Sequence, residues 1–308
     1  MSRAKNERGQ VLVLTVLTLV AVLGMAALVL DVGAWFHQKR QLQATADAAA
    51  LAGAQLLPKS PSSAVSTALT YADKNGGGVL GGDVTVMTSR YPNDTIAVKA
   101  KKSNEGIFSR IVGVNSVDIG ASAKARVGAP VQAKYVAPMV VSCEHELIHH
   151  CFDGDSDPDF GKETTMQFDP MGAPGAFGML NLDGGSGTVG TSSEAMWILK
   201  GFDKLLGLGK YRSDPGAKFS SQEIRGALDA RLNTVLLFPV FRTLDGQGQQ
   251  AQYEIIGWIG FYLQSYTTNG NNATLHGYFT EFIAKGIQAS SGQGSPISFG
   301  VRTVQLIG

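Results

Sequence analysis

The uncharged run Val11–Leu30, which follows a short leader carrying Arg3, Lys5 and Arg8, limits this chain more than any other feature. Twenty residues at 1.5 Å rise span about 30 Å, the thickness of a bilayer's hydrocarbon core. A core helix of that length would carry polar positions facing water. Here the polar residues are Thr15 and Thr18, whose hydroxyls can bond back to the helix backbone. A cleavable signal would have a shorter apolar region and a small-x-small site, whereas this run is followed by Trp35 and Phe36 at interface depth. The run therefore reads as a retained single-pass anchor in a lipid bilayer. Lys39 and Arg40 are the next basic residues, nearly ten positions beyond the span, so the positive-inside bias places the N-terminus in the cytoplasm. Residues 1–10 form a cytoplasmic leader, 11–30 a transmembrane helix, and the bulk of the 308 residues is extracytoplasmic.

Trp35–Leu57 is rich in Ala (44, 46, 48, 49, 50, 52 and 54), a strong helix former, and contains no Pro. The anchor is thus expected to continue as one rod of about 45 residues, at 1.5 Å each, ending before Pro58. Ser60-Pro61 supplies a cap and a first-turn proline for a second helix over Ala64–Lys74, stopped by Gly76-Gly77-Gly78. Val84–Ser89 and Thr95–Lys101 alternate as strands about the turn Pro92-Asn93-Asp94. Asn104–Val112 reads as a short amphipathic helix, and Val117–Val127 as a third strand. Residues 31–129 would make a small αββαβ module, linked through 130–134 to a second domain over 135–308.

That second domain reads as β-rich with two helices, giving an α+β class overall. Strands are expected at Ala137–Ser142, Gly178–Leu182, Thr234–Arg242, Tyr253–Tyr266, Ala273–Lys285 and Ile297–Ile307. Helices are expected at Glu194–Leu206 and at Ser220–Leu232, the latter opening with the capping box Ser220-x-x-Glu223. With 26 basic and 25 acidic residues interspersed, nothing in the charge favours nucleic acid as a partner.

Glu7-Arg-Gly-Gln-Val-Leu-Val-Leu, the apolar span ending in Asp31-Val-Gly33, Gln43, and Asp47-Ala-Ala-Ala-Leu-Ala-Gly together resemble the N-terminal region of TadE/TadG-like Flp pilus-assembly proteins. Phe108-x-x-Ile-Val-Gly-Val-x-Ser-Val before a strand ending Ala-Lys-Ala-Arg-Val also resembles the pseudopilin-like segment that follows in such proteins. The resemblance implies a structural membrane component of the tight-adherence (Tad) machine, minor pilin-like or an envelope anchor. Its partners would be other Tad membrane proteins or pilins, and its motif residues Gly9, Gln10, Asp31, Gly33, Gln43 and Asp47. Counting Gln10 as first after Gly9 puts Leu14 where a conventional type IV pilin carries Glu. The Ala-rich tract has two readings: a close-packing face for partner helices, or plain helix maintenance.

One motif argues for an enzyme instead. Cys143-Glu-His145-Glu146-Leu-Ile-His149-His150-Cys151 contains H-E-x-x-H, the pattern in which two imidazoles one helical turn apart hold zinc and Glu146 activates water. Phe152 stands where an extended zincin motif needs Gly. The two cysteines supply a further test. In an exported protein they should pair, yet eight residues of helix rise about 12 Å while a disulfide needs Cα atoms within about 7 Å. A bridged loop and a zincin helix exclude one another, and the flanking strand and acidic turn favour the loop. The expectation is a Cys143–Cys151 disulfide, no catalytic residue and no required cofactor. The alternatives are zinc on His145, His149 and His150, or a membrane-tethered zinc metallopeptidase acting through Glu146. Asp153, Asp155, Asp157 and Asp159 resemble the opening of a calcium loop, although Pro158 and Thr164 replace the Gly and Glu of an EF-hand.

Overall fold

The uncharged run and the Ala-rich tract form one helix, α1 (Glu7–Ala54), 48 residues long. This computed structural model describes residues 7–149, 151, 158–185, 188–216, 218–283 and 298–307. The chain divides into two units, Met1–Arg126 with Leu306–Gly308, and Val127–Gln305.

In the first unit α1 is two-faced along its length rather than around its circumference. Side chains from Val11 to Leu30 are almost all exposed, Val11 at 62% and Leu30 at 61%, so none of the described residues covers this part. By length and composition it is a candidate membrane span. From Leu42 onward the helix is packed: Leu42, Ala46, Ala49, Ala50 and Ala54 are buried. Their cover is α2 (Pro61–Lys74), with Pro61 in its first turn and Ala64, Ala68 and Ala72 one turn apart on the buried side. The expected cap residue Ser60 occupies the N-cap position, although its side chain makes no capping bond. Gly53 permits the contact, because a Cβ there would stand 2.7 Å from Ile96 Cδ1 and 2.8 Å from the Ala64 carbonyl oxygen. The small-residue face that the sequence offers to a partner helix is thus occupied by the chain's own second helix.

Three antiparallel strands complete this unit: β1 (Val84–Met87), β2 (Thr95–Glu105) and β3 (Ser116–Gly128). β2 and β3 pair continuously from Thr95↔Arg126 to Glu105↔Ser116. Alternate residues Ile96, Val98 and Ala100 are buried, as a sheet with one covered face requires. Ile307 joins this unit, its N–H donating to the Lys124 carbonyl at 2.8 Å. Beyond α1 the order is αβββ rather than αββαβ. Asn104 and Glu105 continue β2, and only a single 3-10 turn, Ser109–Val112, follows where a helix over 104–112 was expected.

The second unit is built on a seven-stranded sheet. Two short strands, β4 (Gln132–Ala133) and β5 (Met139–Ser142), lead into β6 (Glu163–Gln167) and β7 (Phe177–Met179). α3 (Thr191–Lys200), β8 (Leu206–Gly207), β9 (Gly209–Arg212) and α4 (Gln222–Arg231) precede the long hairpin β10 (Thr234–Asp245) and β11 (Gln252–Asn269). β12 (Asn272–Thr280), β13 (Phe282–Ile283) and β14 (Val301–Leu306) follow. The sheet runs β6-β12-β11-β10-β5-β7, with β9 also on β11, while β4 pairs with β8. β5 joins β10 in parallel and β13 joins β14 in parallel; β10, β11 and β12 are antiparallel.

Two apolar layers flank this sheet. Leu236, Phe238 and Val240 of β10 enter one, with Ile224, Ala227 and Leu228 of α4. Leu237 and Phe241 enter the other, with Trp197, Tyr253 and Trp258. Burial on both sides is why β10 and β11 read as unbroken apolar runs instead of an alternation. The helix cap lies one residue later than the sequence indicates: Ser221, not Ser220, is the N-cap of α4, its hydroxyl accepting from Ile224 N–H at 3.3 Å.

Candidate functional site

One motif residue of the first unit, Asp31, lies at the point where α1 leaves its exposed apolar part. Asp31 is 2% exposed, although its neighbours Gly33 and Phe36 are open to the surroundings. Its carboxylate accepts three backbone N–H bonds, from Ile107 at 3.1 Å, Phe108 at 2.9 Å and Ser109 at 2.7 Å. The tight return after β2 that presents these donors depends on Gly106, where a Cβ would collide with Ser109 Oγ, and on Gly113 at φ +88°. Ser109 Oγ–H in turn donates to the Val114 carbonyl at 3.1 Å, closing the loop.

About two to four turns further along, the same helix grips β3. Lys39 Nζ donates to the Gly120 carbonyl, and Gln43 Nε2 to the Ser122 carbonyl at 3.1 Å and to Asp47 Oδ1 at 2.8 Å. Four helical residues advance about 6 Å and two strand residues about 6.6 Å, so the strand runs alongside the helix in step. Gln43 thus ties β3 to the helix with Asp47 holding its amide, while Asp31 holds the loop that follows β2. Gly33 has nothing within 4 Å of where its Cβ would be. Gly9 and Gln10 lie in the helical backbone of α1, and their side chains fall outside the described residues.

The cysteine loop of the second unit is closed. Cys143 and Cys151 form the expected disulfide, with Cα atoms 5.0 Å apart. Residues 143–148 are turns, not a helix, and Leu147 and Ile148 are buried in the core alongside both cysteines. His145 points inward at 1% exposure, edge-on to Phe279 with ring centroids 5.1 Å apart. Its Nδ1 accepts from Leu147 N–H at 3.1 Å, which assigns the proton to Nε2, facing Thr164 Oγ1 at 3.4 Å. Burial holds its pKa below the ordinary histidine value, a shift opposed by the nearby Glu146 charge and reinforced by His149.

His149 adopts φ +65° and directs Nε2 to Asp159 at 3.3 Å. Glu146 is exposed beside a depression that also borders Glu144, His145 and Thr164. H-E-x-x-H sits on a single turn, closed by His149 N–H to the His145 carbonyl at 3.2 Å, rather than on a helix, and the imidazoles of His145 and His149 face different partners. Asp159 also meets Lys162 at 3.8 Å. His150, Asp153, Asp155 and Asp157 lie outside the described residues, and among the described residues no three His, Cys, Asp or Glu side chains are grouped to hold a metal ion.

One buried cluster escapes a reading of the sequence. Glu194, in the first turn of α3, is 1% exposed and lies beside Asp214, itself fully buried. Asp214 Oδ2 accepts from Val189 N–H at 2.8 Å and Oδ1 from Gly216 N–H at 3.1 Å, so both of its oxygens are partnered. Burial foremost, then the Asp214 charge, pushes Glu194 up to about 8, with Lys218 opposing. An acidic residue in the first helical turn is ordinary dipole chemistry, so nothing local marks Glu194, and its partner lies 20 positions away.

No curated protein and no solved structure shows a significant match to the chain. The segment that contains Asp31, Gln43 and Asp47, residues 9–56, matches the model of the TadE/G-like Flp pilus-assembly family, and this likeness supports involvement of the protein in Flp pilus assembly.

Proposed function

We propose that the chain is a single-pass structural component of the Flp pilus-assembly machinery, minor pilin-like or an envelope anchor. Its N-terminus lies in the cytoplasm and both folded units lie outside. The observation that carries this reading is the coincidence of the family match, residues 9–56, with a single helix that is bare over Val11–Leu30 and grasped by its own sheet beyond Asp31. A helix of that kind holds a folded unit rigidly against the membrane surface, which is what an assembly scaffold or a minor subunit requires. Its partners are other Tad membrane proteins or pilins. No catalytic step and no resident metal enter the reading. A peptidase would need residues 143–148 to leave their disulfide-closed turns and His145 to give up its inward contacts.

Deletion of the gene tests the proposal. Cells lacking it should lose Flp pili in electron micrographs. The full chain should restore them, and a secreted form without Val11–Leu30 should not. Normal piliation after deletion would refute the role, and stoichiometric zinc with peptide hydrolysis by the purified protein would favour the enzyme.

A further inference from the structure

The loop that caps Asp31 exposes apolar side chains at the level where the helix leaves the membrane. Ile107 is 72% exposed, Phe108 37% and Val114 41%, and Phe36 on the neighbouring turn of α1 is 65% exposed. Three hydrogen bonds tie this loop to Asp31, the first residue after the apolar run. The step between helix and strand gives the same height independently. Lys39 meets Gly120, and eight residues down the helix, about 12 Å, correspond to nearly four strand residues, which reaches Ser116 at the start of β3.

The geometry points to a second lipid contact: the loop from Gly106 to Val114 dips into the bilayer interface beside α1, with Ile107, Phe108 and Val114 toward lipid. A carboxylate at the edge of an apolar span is costly unless its charge is satisfied and screened. The loop does both, since its backbone N–H groups saturate Asp31 while its side chains present an apolar exterior. Its one charged side chain with described surroundings, Arg110, is paired with Glu105. Isolated exposed apolar residues are unremarkable on a protein surface. This group is singled out by its attachment to the anchor at interface depth. The inference rests on Val11–Leu30 lying in the membrane, and it makes the unit a two-point membrane binder whose tilt about the helix is restricted.

Fluorescence quenching in nanodiscs of phosphatidylethanolamine and phosphatidylglycerol, with and without lipids spin-labelled near the headgroup or near the end of the acyl chain, tests it on the full chain. The native cysteines are bridged, so a single introduced cysteine carries the dye. The sites are Ile107→Cys and Val114→Cys in the loop, Val20→Cys in the span, and Asn93→Cys at the opposite end of β2. Dyes at 20, 107 and 114 should be quenched by the labelled lipids and the dye at 93 should not. Quenching at 20 but at neither loop site overturns the lipid contact and leaves the anchor standing. Absence of quenching at 20 overturns the anchor and the loop contact together.

Discussion

Asp31, one residue beyond the apolar run, accepts a 2.7 Å hydrogen bond from the backbone N–H of Ser109, 78 positions further along the chain. A motif residue in the helix thereby fixes a loop that local sequence leaves undetermined. Replacement by Ala removes the acceptor for three N–H donors at once. In Asp31→Ala the amides of Ile107, Phe108 and Ser109 should exchange with solvent at least about tenfold faster, while those of β10 and β11 keep their protection. Hydrogen exchange on the full chain in detergent reads this directly. Unchanged rates at 107–109 would mean the carboxylate does not hold the loop.

Gly53 sits where α1, α2 and β2 meet. Because one of the atoms in the way is the Ala64 backbone carbonyl, rotation of a side chain cannot relieve the overlap. Gly53→Ala should lose about 1–3 kcal/mol from the first unit despite the better helix propensity of Ala. Thermal unfolding of the full chain checks it; a gain in stability would show that the helices are not in close contact there.

The disulfide closes a short loop whose Leu147 and Ile148 are core residues of the β-rich unit. Its loss frees the unfolded chain and unseats those side chains. Replacing Cys143 and Cys151 by Ser should destabilise this unit by about 2–4 kcal/mol. The native protein should bind no thiol reagent until it is reduced, and then two equivalents, as read by intact mass.

Two buried groups give this unit opposite responses to pH. Glu194 has an ordinary value of 4.5 and is raised to about 8 in the fold. Between those values the unfolded chain has released a proton that the folded one keeps. Stability therefore falls as pH rises through this window, by up to about 1.4 kcal/mol per unit. Glu194→Gln should flatten that decline. His145 is lowered below 6.5, so acidification below 6.5 charges the unfolded imidazole first and also reduces stability. His145→Gln should remove the acid-side loss only. Calorimetry across pH on the two variants separates these effects.

What the sequence makes legible follows from how local each cause is. α1 could be read because its signals, an uncharged run and uninterrupted Ala, act within a turn or two. β10 and β11 could be read because burial on both faces leaves apolar runs too β-branched and aromatic for a helix. Ile107 and Phe108 mislead, since their spacing imitates an amphipathic helix, whereas their exposure is set by Asp31 from far along the chain. β6 offers only one buried side chain, Met166, and gives no period to detect. The partner of the Ala face could not be inferred, because composition states that two helices can approach closely without saying which two. The Glu194–Asp214 pair is invisible for the same reason, being created by tertiary packing alone.

The most direct test of the central claim, that Val11–Leu30 holds the folded units to a membrane, is alkaline carbonate extraction of membranes from cells making the full chain. The intact protein should remain in the membrane pellet, and a version lacking residues 1–34 should be released. Recovery of the uncut full chain in the carbonate supernatant would contradict the account.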